Sequence, residues 1–488
     1  MNGYPLFNLT KYMLMEKNKI KSLILKQFAY KPTAGQNILI DKLSVFINTD
    51  DNQDVFVIKG YAGTGKTTII SALVNILPVL NKKSVLLAPT GRSAKVLSNY
   101  SNKKAFTIHK KIYKLKQSEG PKTYLILQKN FYENTMFIVD ESSMIPSTAS
   151  NNNSLFSSRS LLDDLIEYVY QGENCKLILI GDSAQLPPVG TDISPALDMD
   201  FLKNRYNVSI DSYELTDVVR QSQESGILAN ATDIRNIINN KQVKLPLFSL
   251  KNYTDIIRID GYDFEDQLNN AYSEYGLENT TVICRSNKQA NSFNQGIRDQ
   301  ILFKENEISA GDYMMIVKNN YFWLSDESKA GFMANGDIIE ILKIRKIQHI
   351  YGFDFADVTI RMVDYPDENE LDVKIILDTI MSNSPSLSFD DNGKLYKEVL
   401  QDYISIKNKR LRYQKIMNNP YFNALQVKFA YSLTCHKTQG GQWDAVFVDK
   451  GYINEQMMNV ELLRWLYTAV TRANKKLFLI NFNEEFFN

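Results

Sequence analysis

Eight consecutive residues of the chain combine glycines, a lysine and a threonine at a spacing that suits phosphate binding. They are Gly60-Tyr61-Ala62-Gly63-Thr64-Gly65-Lys66-Thr67. They match the pattern G-x-x-x-x-G-K-[ST], in which glycines let backbone N–H groups surround an anion without Cβ clashes. In such a loop the lysine reaches the β- and γ-phosphates of a nucleotide, and the last hydroxyl ligates Mg²⁺. The segment therefore predicts a nucleotide-binding site; the alternative is a chance glycine-rich turn.

The residues on either side of this loop suit the same site. Residues 55–58 form a short apolar run that is typical of a buried strand, and residues 68–77 have the composition of a helix. A strand, a glycine-rich loop and a helix in this order aim several backbone N–H groups at one anion. A nucleotide with Mg²⁺ is therefore the predicted cofactor, and the predicted binding residues of this loop are Gly60, Ala62, Gly63, Thr64, Gly65, Lys66, Thr67 and Thr68.

Two carboxylates follow another apolar run. Asp140 and Glu141 come directly after residues 136–139, which predict a second buried strand. The aspartate can hold Mg²⁺ together with Thr67, and the adjacent glutamate can polarise a water molecule as a general base. An Asp-Glu pair alone is usually solvated, but its position after a buried strand favours the catalytic interpretation.

Three further residues could act on a bound phosphate. Gln185 lies in the segment 181–190, which follows a strand-like run, and its amide could sense the γ-phosphate. Arg220 and Arg472 carry planar guanidinium groups, which can stabilise charge on a transferring phosphoryl group. We predict that both arginines face the phosphate loop across a cleft between two domains. Taken alone, the segment around Gln185 would be a proline-rich turn and each arginine a surface or ion-paired side chain.

Alternating apolar runs and helical segments predict an α/β protein with inserts. The runs at 85–88, 136–139 and 177–180 are apolar throughout, as strands buried on both faces of a parallel sheet are. Residues 110–130 predict a protruding hairpin around Gly120-Pro121. The predicted organisation is an extension with a short amphipathic helix at 1–27, a first domain at 28–210, and a second domain at 211–308 plus 424–488. Between the two parts of the second domain we predict a small, mostly β insert at 309–423, which is SH3-like or barrel-like and has a helix near 395–417.

Bulk composition excludes several classes of protein. The formal net charge is +1, which argues against a protein that coats nucleic acid by bulk charge but allows a local basic groove. Cys175, Cys284 and Cys435 lie too far apart in sequence to suggest a metal site or a disulfide framework, so a reducing compartment is expected. No apolar run is long enough to span a membrane. We therefore expect a monomeric, cytoplasmic protein without a membrane partner.

In order and content these segments resemble superfamily 1 helicases, and most closely subgroup B, the RecD- and Dda-like helicases. The resemblance covers most of residues 30–200, 211–300 and 424–482, and covers 309–423 only loosely. Besides the phosphate loop and Asp140-Glu141, the segments that carry it are 33–36 with Gln36 as the adenine-reading glutamine, 86–97, Thr107-Ile108-His109, 181–190, 433–440 and 467–472.

The resemblance implies two RecA-like domains with ATP between them and single-stranded DNA across both. Gln439 and Gly440 would face the nucleotide. The hairpin would split the duplex, and the insert would clamp the strand with its basic clusters, although a solvated charged surface is the alternative for each cluster. Trp323 could stack on a base or be buried in the insert. The implied DNA-binding residues are Pro89, Thr90, Arg92, Phe106, Thr107 and His109 in the first domain, and Ser286, Asn287, Thr434, His436 and Lys437 in the second.

The resulting prediction is an ATP-dependent DNA helicase that moves along single-stranded DNA, 5′ to 3′, and acts at duplex junctions. Its expected roles are in replication, repair or recombination, with proteins of those processes as partners. One alternative is a motor subunit of a RecD-type recombination nuclease complex. Another is a nucleotide-gated DNA-binding switch that does not translocate. Stimulation of ATP hydrolysis by single-stranded DNA would separate a motor from a switch.

Overall fold

The computed structural model describes residues 17–49, 54–117, 123–148, 160–219, 225–240, 243–324, 328, 332–365, 368–454 and 457–488. They form two compact units. The first extends to Pro89 and includes Ser93–Lys114 and Leu125–Thr232, and the second comprises Thr90–Arg92, Leu115–Tyr124 and Asp233–Asn488. Among the described residues, no helix is both long enough and apolar enough to cross a bilayer.

A six-stranded sheet lies at the centre of the first unit. Its strands are β1 (Asp54–Gly60), β2 (Lys83–Ala88), β3 (Ala105–Thr107), β6 (Thr135–Val139), β7 (Lys176–Gly181) and β8 (Ser209–Leu215). They run parallel in the order β3-β2-β6-β7-β1-β8. β6 and β7 are buried along their whole length, which is why residues 136–139 and 177–180 within them are apolar runs. The predicted α/β architecture is thereby confirmed.

Helices precede, connect and follow the strands of this sheet. In chain order they are α1 (17–25), α2 (Ala34–Asn48), α3 (Lys66–Ile76), α4 (Gly91–Ser101), α5 (Ile108–Ile112), α6 (Leu161–Tyr170), α7 (Met199–Tyr206) and α8 (Gly226–Asn239). Ile20 and Ile24 of α1, four residues apart, are buried in the same apolar cluster as Leu39 and Leu73. The spacing places both isoleucines on one helical face, so α1 packs as an amphipathic helix.

The predicted hairpin is present as a separate two-stranded sheet of β4 (Tyr113–Gln117) and β5 (Thr123–Leu127). Its predicted turn at Gly120-Pro121 lies outside the described residues.

The second unit contains a parallel sheet of its own. Its strands are β9 (Ile256–Ile259), β10 (Thr280–Cys284), β16 (Ser432–Thr434), β17 (Trp443–Asp449) and β18 (Ala473–Ile480), in the order β16-β10-β17-β18-β9. The accompanying helices are α9 (Phe264–Tyr275), α10 (Asn287–Gly296) with a π-helical continuation at Ile297–Ile301, α13 (Cys435–Thr438) and α14 (Val460–Val470). Two separate parallel sheets agree with the predicted pair of RecA-like folds.

The β-rich insert is a closed barrel. Its strands are β11 (Tyr313–Ile316), β12 (Ile338–Ile350), β13 (Phe353–Met362), β14 (Leu371–Ile376) and β15 (Leu425–Phe429). β15 lies beyond the predicted end of the insert at 423, and it closes the barrel by pairing with both β11 and β14. The region predicted as one helix near 395–417 contains two, α11 (Phe389–Gln401) and α12 (Lys409–Met417), because Asn408 caps a new helix.

Candidate active site

The phosphate loop joins β1 to α3 through two residues with left-handed backbone. Gly63 has φ +74° and Gly65 has φ +83°. Gly65 is the residue before α3, which begins at Lys66. The first N–H groups of a helix have no partner within the helix, so the loop turns these donors and the positive end of the helix dipole toward one point. This is the strand-loop-helix geometry that the sequence predicts.

Side chains within the loop fix its shape. The buried Thr64 hydroxyl donates to the carbonyl of Tyr61 at 2.8 Å. The Lys66 ammonium donates to the carbonyls of Gly60 and Tyr61 at 2.5 and 2.9 Å. Thr67, in contrast, is exposed in the first turn of α3, as is Thr68. A threonine hydroxyl that faces outward from this turn is available to ligate a metal ion.

Gln36 connects the start of α2 to the phosphate loop. Its Oε1 accepts from the backbone N–H of Thr33 at 3.0 Å, as part of a capping box, and its Nε2 donates to the carbonyl of Thr64 at 3.0 Å. The neighbouring Gly35 N–H donates to Asp217 at 3.1 Å. Gln36 therefore stabilises the loop directly, a contact that its predicted role in adenine recognition did not anticipate.

Replacing Gly65 with alanine is expected to destabilise the first unit by about 1–3 kcal/mol and to abolish nucleotide binding. A Cβ at this position would lie 2.4 Å from Nε2 of Gln36, and φ is +83°. The control is Gly190→Ala, because Gly190 has the same φ but a Cβ there would meet nothing within 4 Å. Thermal melting and titration with a fluorescent ATP analogue would measure both effects. Equal losses in the two variants would show that backbone strain alone, and not the contact with Gln36, determines the result.

The carboxylates Asp140 and Glu141 follow β6 directly. β7 lies between β6 and β1 in the sheet, and all three strands are parallel, so the carboxylates and the phosphate loop follow strands that end at the same edge. Oδ1 of Asp140 accepts from the Glu141 N–H at 2.9 Å. Glu141 itself has φ +52°, an uncommon conformation for a residue with a side chain.

Tyr100 is part of this carboxylate site, and sequence reasoning missed it. Its phenol donates a hydrogen bond to Oδ2 of Asp140 from the last turn of α4. Burial, reinforced by the negative charge of Asp140, raises the pKa of Tyr100 far above its ordinary value, so the phenol remains a donor. No local motif marks this residue, because the contact joins positions 40 residues apart in the sequence.

The donors at this edge suit Mg²⁺. Among the described residues, no group of three or more His, Cys, Asp or Glu side chains could hold a metal ion. Mg²⁺ does not require such a group, since it is commonly bound by one or two carboxylates, waters and substrate phosphates. The Thr67 hydroxyl and the Asp140 carboxylate therefore fit this ion, and they do not fit a metal that needs several protein ligands.

Gln185 follows β7 at the same edge. It is 5% exposed, and its Oε1 is buried without a hydrogen-bond partner in the described part of the chain. An unsatisfied buried acceptor costs about 1–3 kcal/mol, so the buried Oε1 of Gln185 calls for an explanation. An acceptor oxygen at this position could take a hydrogen bond from a water molecule. This would be a second role for the Gln185 amide, besides the predicted one of sensing the γ-phosphate.

In the second unit, the segments 433–440 and 467–472 come together around Arg472. This arginine follows α14 and is 3% exposed. Its guanidinium donates to the carbonyls of Thr468 and Gly441 at 3.0 and 3.1 Å and to the Thr471 hydroxyl at 3.3 Å. Gln439 and Gly440, also buried, immediately precede Gly441. The predicted Arg220 lies outside the described residues.

The candidate DNA-binding residues of the 86–97 and 105–109 segments lie in or directly after two neighbouring strands, β2 and β3. β2 pairs with β3, with Ala88 opposite Thr107 and Leu87 opposite Phe106. The Thr107 hydroxyl caps α5 by accepting from the Lys110 N–H at 3.2 Å, which gives it a structural role, whereas His109 lies inside that helix. Burial lowers the pKa of His109 to about 4, so its ring is neutral at pH 7. Pro89 and Thr90 directly follow β2, and Arg92 lies in the first turn of α4.

Phe106 has the surroundings of a base-stacking residue. Its ring is half-exposed, and the ammonium groups of Lys104 and Lys111 lie 5.3 and 5.0 Å from its centroid. An aromatic face between cations can bind a base by stacking and the adjacent phosphates by charge.

Replacing Phe106 with leucine is expected to weaken binding of single-stranded DNA by about 1–3 kcal/mol, because leucine has no π-face for stacking. Fluorescence anisotropy with an oligo-dT probe would measure the affinity. Phe201→Leu is the matched control, since Phe201 is also half-buried and has a cation, Arg205, 5.8 Å from its ring. Unchanged affinity in the Phe106 variant would remove this residue from the proposed DNA-binding set.

The second-unit DNA candidates also follow neighbouring strands. β10 pairs with β16, with Cys284 opposite Thr434. Ser286 caps α10 by accepting from the Gln289 N–H at 3.2 Å, and Asn287 donates to the carbonyl of Asn383 at 3.2 Å. Ser286 and Asn287, like Thr107, therefore already make structural contacts.

The DNA-binding candidates His436 and Lys437 are half-buried residues of α13. Burial, together with the nearby positive charge of Lys428, lowers the pKa of Lys437 to about 8. Burial also lowers the pKa of His436, against the opposing effect of Glu461. Lys428, which the sequence did not single out, adds positive charge beside Lys437.

Trp323, for which the sequence left stacking on a base and burial in the insert open, is half-buried. Its indole N–H donates to the carbonyl of Asn423 at 2.8 Å, and its ring packs against the apolar core that includes the barrel. These contacts favour a structural role for this residue.

Two protein-family models match separate parts of the chain. A model of the AAA domain matches residues 43–244, and a model of the UvrD-like helicase C-terminal domain matches residues 429–480. The chain is 26% identical to an uncharacterized protein of Acanthamoeba polyphaga mimivirus, covering 91% of this chain and 98% of that protein. It is 24% identical to the ATP-dependent DNA helicase dda of Enterobacteria phage T4, covering 87% of this chain and 93% of that one.

Two further similarities extend over almost the whole chain. The RecBCD enzyme subunit RecD of Buchnera aphidicola is 23% identical, with coverage of 98% of this chain and 78% of that subunit. A solved structure of a Pif1 helicase from Bacteroides, in complex with ADP-AlF3 and single-stranded DNA, has a TM-score of 0.45 and 17% identity over 92% of this chain and 93% of that one.

Proposed function

Because the chain belongs to subgroup B of the superfamily 1 helicases and uses ATP to unwind DNA, we propose that it does so by moving 5′ to 3′ along a single strand. One observation carries the catalytic part of this proposal. The phosphate loop, Asp140, Glu141 and Gln185 follow three adjacent parallel strands of one sheet and so share one edge. That edge combines anion-binding N–H groups, a metal-binding carboxylate and a general base.

Each residue of this edge has a proposed task in hydrolysis. Lys66 and the N–H groups of the loop bind the β- and γ-phosphates. Thr67 and Asp140 would hold Mg²⁺, which when bound neutralises charge on the phosphate oxygens. Glu141 accepts the proton of the attacking water, and the Gln185 amide orients that water. Apart from this edge, we propose that Arg472 of the second unit stabilises the charge that develops on the transferring phosphoryl group.

We propose that hydrolysis is coupled to DNA movement by a shift between two conformational states. A nucleotide can shift such an equilibrium only by the difference in its affinity for the two states. ATP contacts at Lys66 and Arg472 would favour one state, and loss of the γ-phosphate would favour the other. The proposed DNA-binding residues of the first unit, such as Phe106, and those of the second unit, such as His436 and Lys437, would bind the strand in turn.

A subunit of a RecD-type complex is the second candidate function. The observation that favours it is the similarity to RecD of Buchnera aphidicola, which extends over 78% of that subunit. Affinity purification of the native protein distinguishes the two candidates. A stable complex with nuclease subunits would support the RecD-type function, and recovery of the protein alone with full unwinding activity would support the stand-alone helicase.

The proposed direction of movement is tested with two partial duplexes of identical sequence, one with a 5′ tail and one with a 3′ tail. We expect ATP-dependent strand separation with the 5′ tail only. A preference for the 3′ tail would contradict the proposed direction and leave the ATPase assignment intact. If single-stranded DNA failed to stimulate ATP hydrolysis, the motor function itself would be wrong and a nucleotide-gated switch would replace it.

A further inference from the structure

The second unit has a basic surface on α12 and the turn before it. The basic surface consists of Lys407, Lys409, Arg410, Arg412 and Lys415. All of these side chains are exposed except that of Arg412, which is half-buried. In the whole helix only Ile416 is buried. Because the helix places only one side chain in the core, core packing does not determine the rest of its sequence. The concentration of cations therefore needs another explanation.

None of these five cations has a carboxylate within 4.0 Å in the described part of the chain. Other cations of the same unit are paired. Lys394, in the neighbouring helix α11, lies 3.4 Å from Asp391. Arg345 lies 2.6 Å from Asp372, and Lys475 lies 2.9 Å from Asp444. The basic surface is therefore a local excess of positive charge in a chain whose net charge is only +1.

The charges also oppose the formation of the helix that carries them. α12 has no acidic residue in its first turn, and Lys409 and Arg410 lie there, at the positive end of the helix dipole. A cation at this end is unfavourable. Lys409 and Arg412, and Arg412 and Lys415, are like-charged pairs three residues apart, and such pairs destabilise a helix. A bound polyanion would relieve both effects, whereas solvent would only screen them.

The helix is nevertheless held firmly in place. Ile416 packs in an apolar cluster with Leu395 and Val399 of α11, and this cluster includes Phe355 and Ile376 of the barrel. Ile416 and Val399 are fully buried. The Asn408 side chain caps α12 by accepting from the N–H groups of Arg410 and Leu411 at 2.9 and 3.1 Å. The basic surface is therefore presented on a preorganised support, which reduces the entropic cost of binding.

We propose that the basic surface binds the phosphodiester backbone of duplex DNA, at a site separate from the proposed single-strand residues. The proposal rests on the proposed function in taking DNA as the polyanion. α12 has nine residues and so spans about 14 Å, the axial length of about four base pairs. Sites for single strands interleave cations with aromatic faces, as around Phe106. From Lys407 to Ile416 the single aromatic residue, Tyr413, is half-buried and already has an interaction of its own, so the exposed side chains are mainly cations, which suits a partner whose bases are stacked inside a helix.

The test replaces Lys407, Lys409, Arg410 and Lys415 with glutamine in the full chain. The matched control replaces four exposed lysines elsewhere, Lys83, Lys203, Lys244 and Lys251, with glutamine, so both variants have the same net charge. Affinity for a blunt duplex and for oligo-dT is measured between about 50 and 200 mM NaCl. We expect the α12 variant to bind the duplex about tenfold or more weakly at low salt, and the slope of log K against log[NaCl] to become less negative by about 3 to 4. The control variant should match the wild type.

ATP hydrolysis stimulated by oligo-dT is measured in parallel and is expected to be unchanged in the α12 variant. Unaltered duplex affinity and slope would overturn the proposal, and so would an equal loss of oligo-dT binding, which would make the surface a general nucleic-acid site. Absence of oligo-dT stimulation in the wild type would instead contradict the proposed function. Should the fourfold variant fail to fold, the variant with only Lys407→Gln and Lys415→Gln is expected to change the slope by about half as much.

Discussion

Replacing Glu141 with glutamine is expected to lower kcat for DNA-stimulated ATP hydrolysis by about 10²–10⁴-fold while leaving ATP binding unchanged. Glutamine has the shape of glutamate but cannot accept the proton of the attacking water. The residue directly follows β6, next to Asp140, whose carboxylate is held by Tyr100 and by the Glu141 N–H. Steady-state ATPase assays with saturating oligo-dT would give kcat, and titration with a fluorescent ATP analogue would give the affinity.

The control for this variant is Glu133→Gln. Glu133 is exposed and precedes β6, whereas Glu141 follows it. The chemical change is therefore identical, but it is made at the opposite end of the strand. We expect wild-type turnover in the control. Wild-type turnover in the Glu141 variant would show that another group is the general base, and a parallel loss of ATP affinity would assign Glu141 to nucleotide binding instead.

The second large effect is expected at Arg472. Replacement with lysine keeps the charge but loses the planar fork of donors, and we expect kcat to fall by about 10³-fold or more, as for an arginine that stabilises the transferring phosphoryl group. The expected loss is in kcat, with the affinity for ATP changed much less, because the interaction is made mainly in the transition state. Steady-state kinetics over a range of ATP concentrations would separate the two parameters.

Arg472 also has a structural role, and the control must isolate it. Its guanidinium donates to two carbonyls and to the Thr471 hydroxyl, and lysine would leave some of these acceptors unpaired. Thr471→Val removes one acceptor without altering the arginine, so it is expected to lower the melting temperature with little change in kcat. If instead both variants lost activity in proportion to their loss of stability, the arginine would be a structural residue and not a catalytic one.

Local patterns predicted the main elements of the fold. The strands β1, β2, β6 and β7 were recognisable because helices bury both faces of a parallel sheet, which requires apolar residues at every position. The phosphate loop was recognisable because its glycines adopt a backbone that other residues disfavour. Both properties depend on a few consecutive residues, so both can be deduced from sequence.

The strand β15 shows where such patterns fail. The sequence prediction placed the return of the α/β domain at 424, yet residues 425–429 close the barrel. Pairing with β11 and β14 decides this assignment, and those partners are distant in sequence. In the same way, a helical pattern near 395–417 could not show that one helix ends at Gln401 and that Asn408 caps a second one.

The sequence by itself determined which residue types could bind a nucleotide phosphate, ligate Mg²⁺ and accept a proton, because these depend on the chemistry of Lys66, Thr67, Asp140 and Glu141 and on their immediate neighbours. Only the tertiary structure decided which groups support them. The phenol of Tyr100 on Asp140, the amide of Gln36 on the phosphate loop, the carbonyls around Arg472 and the unpaired charges of α12 all depend on chain folding. The physical reason is that hydrogen bonds and ion pairs act over a few ångströms in space, and sequence separation does not indicate which groups come within that distance.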